Sequence, residues 1–569
     1  MRRLDDMKRN NEKHRKDDKM KKKQKPVLIV CLLIILLMAV GGGSFLIHRY
    51  MPVKDRMDLS EYYGQTEGSQ AHIIIGTTQM EALGEIIDGQ AYLPLETVNK
   101  YLNQRFYWDS ENGQILYATP SELTSTASSS ESGSDVLVMN DTVYLKLDYV
   151  CRYTNLETYT YQEPNRIVIQ KKFKGIQAVD TVKEAYIRYR GGIKSEVLTQ
   201  VSSGTSLIFL EELENWVKVA TFDGYTGYVE KKKVSEVYKL DRETDFQAEK
   251  YQYISMDEPV NMAWHQVTTA EANEYLSEAI QNVTGVNVIS PTWFSIADNS
   301  GNITNISSGE YVAQAHAAGM QVWGLIDNFS EEISTVEVLS KTSSRQNLIQ
   351  QLMHAALAVG MDGINIDFEY LSEEVGKHFL EFLRELSIEC HKNNLVLSVD
   401  NPVPEDFTSH YDRAEQGRVV DYVIIMGYDE HYVGSEEAGS VASLPWVEQG
   451  IIDTLEEVPA SRVINAIPFY TRLWKTQGGS LSSEAIGMDQ AQDVISKYEV
   501  ETYWDKNAGQ NYGSYETEEG YFQIWIEDAQ SVAAKVKLVP KYGLAGVAQW
   551  KLGFENSSIW SVISENLTE

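Results

Sequence analysis

From about residue 255 onward, short apolar segments alternate with longer segments of helical periodicity. Eight apolar segments have the length of buried strands: 260–264, 286–290, 321–326, 363–368, 395–399, 422–426, 463–467 and 546–550. Amphipathic segments such as 347–359, 373–393 and 528–541 lie between them. Repeated β-then-α units predict an α/β fold, here a (β/α)8 TIM barrel over residues 248–569. An open doubly wound sheet is the alternative, although no glycine-rich phosphate loop follows the first strand.

The segment 361–370, MDGINIDFEY, places three polar side chains on one face of the fourth predicted strand. Alternation sends Asn365, Asp367 and Glu369 to one face and the apolar residues between them to the other. The apolar face packs under the helices of a barrel, so the polar face points inward. Glu369 falls at the C-terminal end of the strand, where the active sites of such barrels form.

Neighbouring carboxylates of this kind favour acid catalysis. The negative charge of one disfavours ionisation of the other, which raises a pKa and keeps a proton available near neutral pH. Protonation of a glycosidic oxygen requires such a proton. A structural cluster of carboxylates at a strand end is the alternative interpretation.

The motif at residues 362–369, DGINIDFE, resembles the DGxDxDxE motif of glycoside hydrolase family 18, the chitinase-like hydrolases. The resemblance implies that Glu369 acts as general acid and then as base, and that Asp367 orients the substrate's N-acetyl group. It also implies that the acetamide oxygen of the substrate is the nucleophile, that the configuration is retained, and that no cofactor or metal takes part. Asp362 and Gly363 belong to the structural part of the motif.

The middle acid of the family motif is replaced by Asn365, as in the branch that includes bacterial spore and cell-wall hydrolases. An amide can donate a hydrogen bond, so we expect Asn365 to donate to Asp367 and to hold that carboxylate ionised. The resemblance makes Asn365 a substrate-binding residue as well.

Later segments resemble the remaining strand ends of the same family. The segments are 424–432, IIMGYDEHY; 464–474, INAIPFYTRLW; 546–553, GVAQWKLG; and 503–539, which we predict to be a hairpin leading into a helix. The resemblance assigns Tyr428 a catalytic contact with the acetamide. It assigns substrate binding to Met426, Asp429, Tyr470, Trp525, Asp528 and Trp550, the last as the apolar floor beneath the sugar.

Two smaller domains are predicted upstream, after a polar linker at 49–70. Residues 71–171 resemble the stalk domain that begins some copper amine oxidases, on the pattern AYLPLETVNKYLN at 91–103 followed by FYWDSENGQILYA at 106–118, but they lack a histidine cluster for copper. Residues 172–240 resemble a bacterial SH3-like barrel, on the pattern NWVKVATFDGYTGYVEKKKV at 215–234.

The N-terminal region predicts a membrane anchor. Residues 27–47 contain no charged residue, and we predict a transmembrane helix over 26–48 that follows a basic cytoplasmic tail at 1–25. A cleaved signal peptide is the alternative, and either interpretation exports the remainder. The whole chain carries −32, of which residues 1–25 contribute +7, so the exported part carries −39 and should repel nucleic acid.

Together these patterns predict a single-pass membrane protein whose bulk lies outside the cell. We expect its barrel to cleave β-1,4 linkages of N-acetylglucosamine in peptidoglycan or, as second choice, in chitin. The alternative is a sugar-binding, lectin-like scaffold of the cell wall or of sporulation that has lost turnover.

Overall fold

A computed structural model describes residues 30–38, 40, 41, 43 and 48–568 of the chain. Contacts divide the chain into two units. The first comprises Met1–Leu102 with Ser130–Gln247, and the second comprises Asn103–Ser129 with Ala248–Glu569.

The second unit contains a closed barrel of eight parallel strands, which confirms the predicted TIM barrel. In chain order the strands are β1 (Val260–His265), β2 (Val288–Ile296), β3 (Gln321–Asp327), β4 (Gly363–Asp367), β5 (Val396–Pro402), β6 (Tyr422–Met426), β7 (Val463–Pro468) and β8 (Gly546–Trp550). Strand β1 pairs with both β2 and β8, which closes the sheet. All carboxyl ends therefore meet at one rim.

Helices cover the outside of the barrel. The α-helices of the barrel are Leu276–Ala279, Gly309–Ala317, Thr335–Ser340, Thr342–Val359, Glu373–Lys392, Arg413–Val419, Leu444–Leu455, Ala529–Val536, Leu538–Tyr542 and Ile559–Leu567. Alternate strand residues belong to different apolar clusters, as the period of a strand requires. Ile364, Ile366 and Phe368 pack in the large cluster with the helices, whereas Met262, Trp323 and Ile424 belong to the smaller one.

A five-stranded antiparallel sheet is inserted between β7 and β8. Its strands are Tyr470–Gln477, Ser480–Gly487, Thr502–Asp505, Gln510–Thr517 and Gly520–Ile526, with the helix Met488–Lys497 after the second. The segment 464–474, which we matched to one strand, therefore spans two elements. Pro468 has no N–H group to extend a ladder, and β7 ends there.

Residues 103–129 pack with the barrel, although we assigned them to the stalk domain at 71–171. They form the antiparallel strands Tyr107–Asp109, Gln114–Ala118 and Leu123–Ala127. Arg105, with 4% of its surface exposed, forms ion pairs with Glu249 and, at 3.4 Å, with Glu415. These contacts join residues that are far apart in the sequence, and local pattern carries no sign of them.

The first unit contains two seven-stranded sheets. One is formed by Val136–Met139, Thr142–Lys146, Gln90–Pro94, Thr78–Ile87, Gln70–Ile75, Arg166–Gln170 and Glu157–Tyr161, in that spatial order, with the helices Leu95–Tyr101 and Leu147–Tyr153. The other is formed by Val197–Val201, Ala185–Arg188, Thr226–Glu230, Trp216–Ala220, Ser206–Glu212, Ile176–Asp180 and Tyr238–Leu240. This second sheet coincides with the predicted SH3-like segment.

The N-terminal prediction is only partly covered by the structure. The basic tail at 1–25 and several residues of the predicted transmembrane helix at 26–48 lie outside the described residues. Among the residues that are described, no helix has both the length and the apolarity that crossing a membrane requires.

We predict that Arg105→Ala lowers the free energy of unfolding of the barrel unit by about 3 kcal/mol, because buried Glu415 then loses one of its cationic neighbours. Urea denaturation of the full chain measures this change. The control is Lys392→Ala, which removes an exposed ion pair with Glu389 and should change the free energy by no more than about 0.5 kcal/mol. Equally small changes in both variants would show that the ion pairs of Arg105 do not stabilise the barrel.

Candidate active site

A pocket of about 360 Å³ opens where several strands of the barrel end. Acidic and aromatic side chains form most of its wall. The lining residues are Trp264, Phe329, Asp367, Glu369, Tyr370, Asp400, Met426, Tyr428, Asp429, Tyr470 and Trp550. Seven predicted site residues therefore meet in one place: Asp367, Glu369, Met426, Tyr428, Asp429, Tyr470 and Trp550.

Asn365 lies below the pocket, fully buried, and its side chain joins three strands. Its Oδ1 accepts hydrogen bonds from Trp264 Nε1 at 2.9 Å and from Ser290 Oγ at 3.3 Å. Its Nδ2 donates to Ser398 Oγ at 3.0 Å and to Asp400 Oδ1 at 2.9 Å. We expected the amide to donate to Asp367, and this was wrong, because both amide hydrogens are directed to β5.

Asp367, the last residue of β4, is 6% exposed and has one oxygen, Oδ1, without a hydrogen-bond partner among residues 48–568. Burial raises its pKa well above the ordinary value, and the charges of Asp400, Glu369 and Asp327 raise it further. The hydrogen bond that we expected to keep Asp367 ionised is therefore absent, because the Asn365 amide donates to Asp400 instead.

Glu369 is held by its backbone two residues beyond the end of β4. Its N–H donates to Asn328 Oδ1 at 2.9 Å, and its carbonyl accepts from Asn328 Nδ2 at 3.0 Å. Burial, followed by the charges of Asp429 and Asp327, raises the pKa of Glu369 to about 7. The side chain can therefore keep its proton near neutral pH, as a general acid must.

Tyr428 and Asp429 follow β6 and face the same pocket. The hydroxyl of Tyr470 donates to Asp429 Oδ1 at 2.6 Å, and the rings of Tyr428 and Tyr470 lie 6.3 Å apart, edge to face. Burial raises the pKa of Tyr428, so that its hydroxyl stays protonated. It can act as a hydrogen-bond donor toward a ligand.

Aromatic rings form the apolar side of the pocket. Trp550, at the end of β8, packs edge to face on Trp264 at 5.9 Å. Phe329 and Tyr370 are exposed near it. Flat rings of this kind pack against the C–H faces of sugars, whose polar groups then reach the acids.

Like Asn365, the predicted binding residues Trp525 and Asp528 do not line the pocket. Trp525 lies in the inserted sheet and packs on Tyr512 at 4.8 Å. Asp528 begins the helix Ala529–Val536, where it accepts hydrogen bonds from the N–H groups of the first turn, and it also accepts from Asn511 Nδ2 at 2.7 Å. The local position of Asp528 is explained by helix capping.

The first two motif residues lie at the start of β4, away from the pocket. Asp362 accepts hydrogen bonds from the N–H of Val322 and from His316, both at 2.8 Å. A Cβ at Gly363 would approach the Val396 carbonyl to 2.8 Å, so a larger residue would push β4 from β5.

Four residues of the site were not predicted from the sequence: Asp400, Asp327, Trp264 and Asn328. Asp400 carried a usable signal: in LSVD, residues 397–400, Ser398 and Asp400 alternate inward just as Asn365 and Asp367 do. No sequence signal indicated Asn328, because its contact with Glu369 joins the loop after β3 to the loop after β4. Despite these acids, the residues that are described contain no group of three or more His, Cys, Asp or Glu side chains that could hold a metal ion.

Comparisons with known proteins agree with this arrangement. Residues 323–555 match the family model described as "Glycosyl hydrolases family 18", and residues 183–235 match "Bacterial SH3 domain". The resemblance of residues 71–171 to a copper amine oxidase stalk stays a prediction.

Similar proteins occur among bacterial glycosylases. The chain is 27% identical over 293 residues to the "Uncharacterized glycosylase YvbX" of Bacillus subtilis. The matched region covers 49% of this chain and 84% of that protein. The chain is 26% identical over 247 residues to the "Cortical fragment-lytic enzyme" of the same species. Here the matched region covers 42% of this chain and 57% of that protein. The chain thus spans little more than half of the second relative.

The fold also agrees with a solved structure. The spore cortex-lytic enzyme SleL of Bacillus cereus superimposes with a TM-score of 0.50 at 22% identity, over 59% of this chain and 78% of that one. At this identity the likeness concerns the fold alone.

We predict that Asn328→Ala lowers the free energy of unfolding by about 1–2 kcal/mol, because it leaves the N–H and the carbonyl of Glu369 without their partner. Urea denaturation measures the change. Thr335→Val is the matched control, since it removes only the hydroxyl that accepts from Asn328 and keeps both contacts with Glu369. The control should lose less than the alanine variant, and the reverse order would contradict the assigned role.

Proposed function

We propose that the barrel, which carries a glycosyl hydrolase family 18 domain, cleaves β-1,4 linkages of N-acetylglucosamine in peptidoglycan by substrate-assisted, retaining catalysis. The single observation that carries the proposal is Glu369, a carboxyl in the pocket whose pKa is raised to about 7 by burial and by Asp429 and Asp327. It can donate a proton at neutral pH and take one back as a carboxylate.

In the first step, Glu369 protonates the glycosidic oxygen as the bond to C1 breaks. The acetamide oxygen of the same sugar attacks C1 from the opposite face, so an oxazolinium ion forms and the leaving group departs as an alcohol. Trp550 lies beneath the sugar and holds its apolar face.

Asp367 and Tyr428 act on the acetamide. A carboxylate at Asp367 accepts a hydrogen bond from the acetamide N–H and stabilises the positive charge that develops on the ring, while the hydroxyl of Tyr428 donates to the acetamide oxygen. Both residues line the pocket beside Glu369, which supports this assignment.

In the second step, Glu369 is a carboxylate and removes a proton from the water that attacks C1. The oxazolinium ring opens, the acetamide is restored, and the product keeps the configuration of the substrate. Glu369 is then protonated again and ready for the next bond.

Peptidoglycan is favoured over chitin by the domains that accompany the barrel. A bacterial SH3 domain lies in the same chain, and one relative is named as a cortical fragment-lytic enzyme. The uncharged segment 27–47 behind a basic tail supports a location outside the cell, held at the membrane. Chitin oligomers are the second candidate substrate.

We predict that Glu369→Gln lowers the rate of reducing-end release from purified peptidoglycan by about 10³-fold, within the 10²–10⁴ range typical of general acid–base catalysis. The amide keeps the shape of the side chain but cannot donate the proton. The full chain is incubated with peptidoglycan and, in parallel, with chitin oligomers.

Glu374→Gln is the matched control, because Glu374 lies in the first turn of the helix Glu373–Lys392 and is exposed. It should retain the rate of the unchanged protein. Equal rates for Glu369→Gln and the unchanged protein would defeat the role of Glu369. Binding of the polymer without product would favour the sugar-binding scaffold instead.

A further inference from the structure

Three neighbouring strands of the barrel carry a carboxylate at the same level. Asp327 on β3 is in register with Asp367 on β4. Between β4 and β5 the register aligns Asn365 with Ser398 and residue 366 with residue 399, so the next position aligns Asp367 with Asp400. Adjacent strands are about 4.8 Å apart, and side chains at one level point the same way.

Asp400 is only 2% exposed, and it lines the pocket beside Asp367. Its Oδ1 accepts the hydrogen bond of 2.9 Å from Asn365 Nδ2. Asp367 keeps its Oδ1 unpaired within the described part of the chain. The two carboxyls thus differ in one respect: Asp400 accepts a hydrogen bond from Asn365, whereas Asp367 has a buried oxygen without a donor among the described residues.

The groups that face this pair are acidic or neutral. They are Asp327 on β3, Glu369 beyond β4, Tyr411 in the segment after β5, and Tyr428 after β6. The pocket wall contains no Lys or Arg among the residues described. Burial and the neighbouring charges of Asp400, Glu369 and Asp327 raise the pKa of Asp367.

The pKa of Asp400 is also raised by burial, although the hydrogen bond from Asn365 opposes the rise. Two adjacent carboxyls in such a place cannot both be ionised, so they titrate as a pair that retains one proton.

We propose that Asp400 is the proton partner of Asp367: the two carboxyls share one proton, and Asp400 holds it while Asp367 faces the acetamide as a carboxylate. The proposal rests on the proposed function. As the acetamide binds, the O–H bond on Asp367 breaks and an O–H bond forms on Asp400. The charge of the pair does not change, and the proton returns when the product leaves. Asp400 is a positioning residue, because it acts through Asp367.

The orientation of the Asn365 side chain fits an acid, Asp400, on β5. Trp264 and Ser290 both donate to Asn365 Oδ1, which fixes the amide with its hydrogens toward Ser398 and Asp400. An amide on β4 and an acid on β5 therefore form one unit. Exchanging the two side chains should keep the hydrogen bond between these strands, since an amide on β5 could donate to a carboxyl on β4 in the reverse direction.

The exchange provides the test. Asp400→Asn removes the proton partner, and Asn365→Asp adds a third carboxyl at hydrogen-bond distance from Asp400. Each single variant should lower kcat at least about 30-fold with little change in KM, and the double variant should recover at least about tenfold over the worse single variant. A double variant no better than either single variant would overturn the proposal. If Asn365→Asp does not fold, the kcat of Asp400→Asn is compared with that of the double variant, and a double variant that is no faster again overturns the proposal.

A second measurement needs no substrate. In the Glu369→Gln background, infrared spectra at neutral pH should contain C=O stretches of buried, protonated carboxyls such as Glu385, whose pKa burial raises to about 7. One further band of this kind should belong to the pair of Asp367 and Asp400. Adding Asp400→Asn should remove the band, because Asp367 then ionises beside a neutral amide; adding Asp362→Asn, outside the pocket, should leave it. A band that persists after Asp400→Asn overturns the proposal. If the band behaves as expected but the protein with Glu369 unchanged cleaves no polymer, the proposed function is refuted and the shared proton stands.

Discussion

Desolvation of carboxyl groups at the mouth of the barrel is the interaction on which the site depends. Burial is the largest cause of the raised pKa at Asp327, Asp367, Glu369 and Asp400. Water and cations would normally stabilise such charges, and the wall of this pocket, as far as it is described, offers mainly aromatic rings and further acids. The pKa values of these carboxyls are therefore raised, and at Glu369 the rise to about 7 provides the proton that an acid catalyst needs.

The barrel creates this environment by joining residues from different strands. Closure of β1 onto β8 brings Trp264 and Trp550 together, and the parallel register brings Asp327, Asp367 and Asp400 to one level. Glu369 lies just beyond the sheet, where its position depends on Asn328 rather than on a strand partner. Rigid strands thus fix the three aspartates, and hydrogen bonds from a side chain fix the backbone of Glu369.

Sequence patterns predicted the features that depend on neighbouring residues in the chain, namely the strands and the faces of their side chains. The period of two found the inward face of β4, and the alternation of apolar and amphipathic segments found all eight strands. The direction of the Asn365 amide was not predictable, because it is set by donors on β1 and β2 that lie far away in sequence. The docking of residues 103–129 through Arg105 was hidden for the same reason. Asp528, which we matched to a binding role, lies outside the lining of the pocket and caps a helix, and its binding role stays a prediction.

Glu369 carries a proton near neutral pH because its surroundings are desolvated and acidic. Carbon-13 NMR of the full chain with labelled glutamate carboxyls measures this directly, with the Glu369 signal identified by its loss in Glu369→Gln. We expect the signal to titrate at about 7, and to titrate at lower pH in Asp429→Asn, since a neighbouring charge is removed. Titration near the ordinary value of 4.5 would contradict the account.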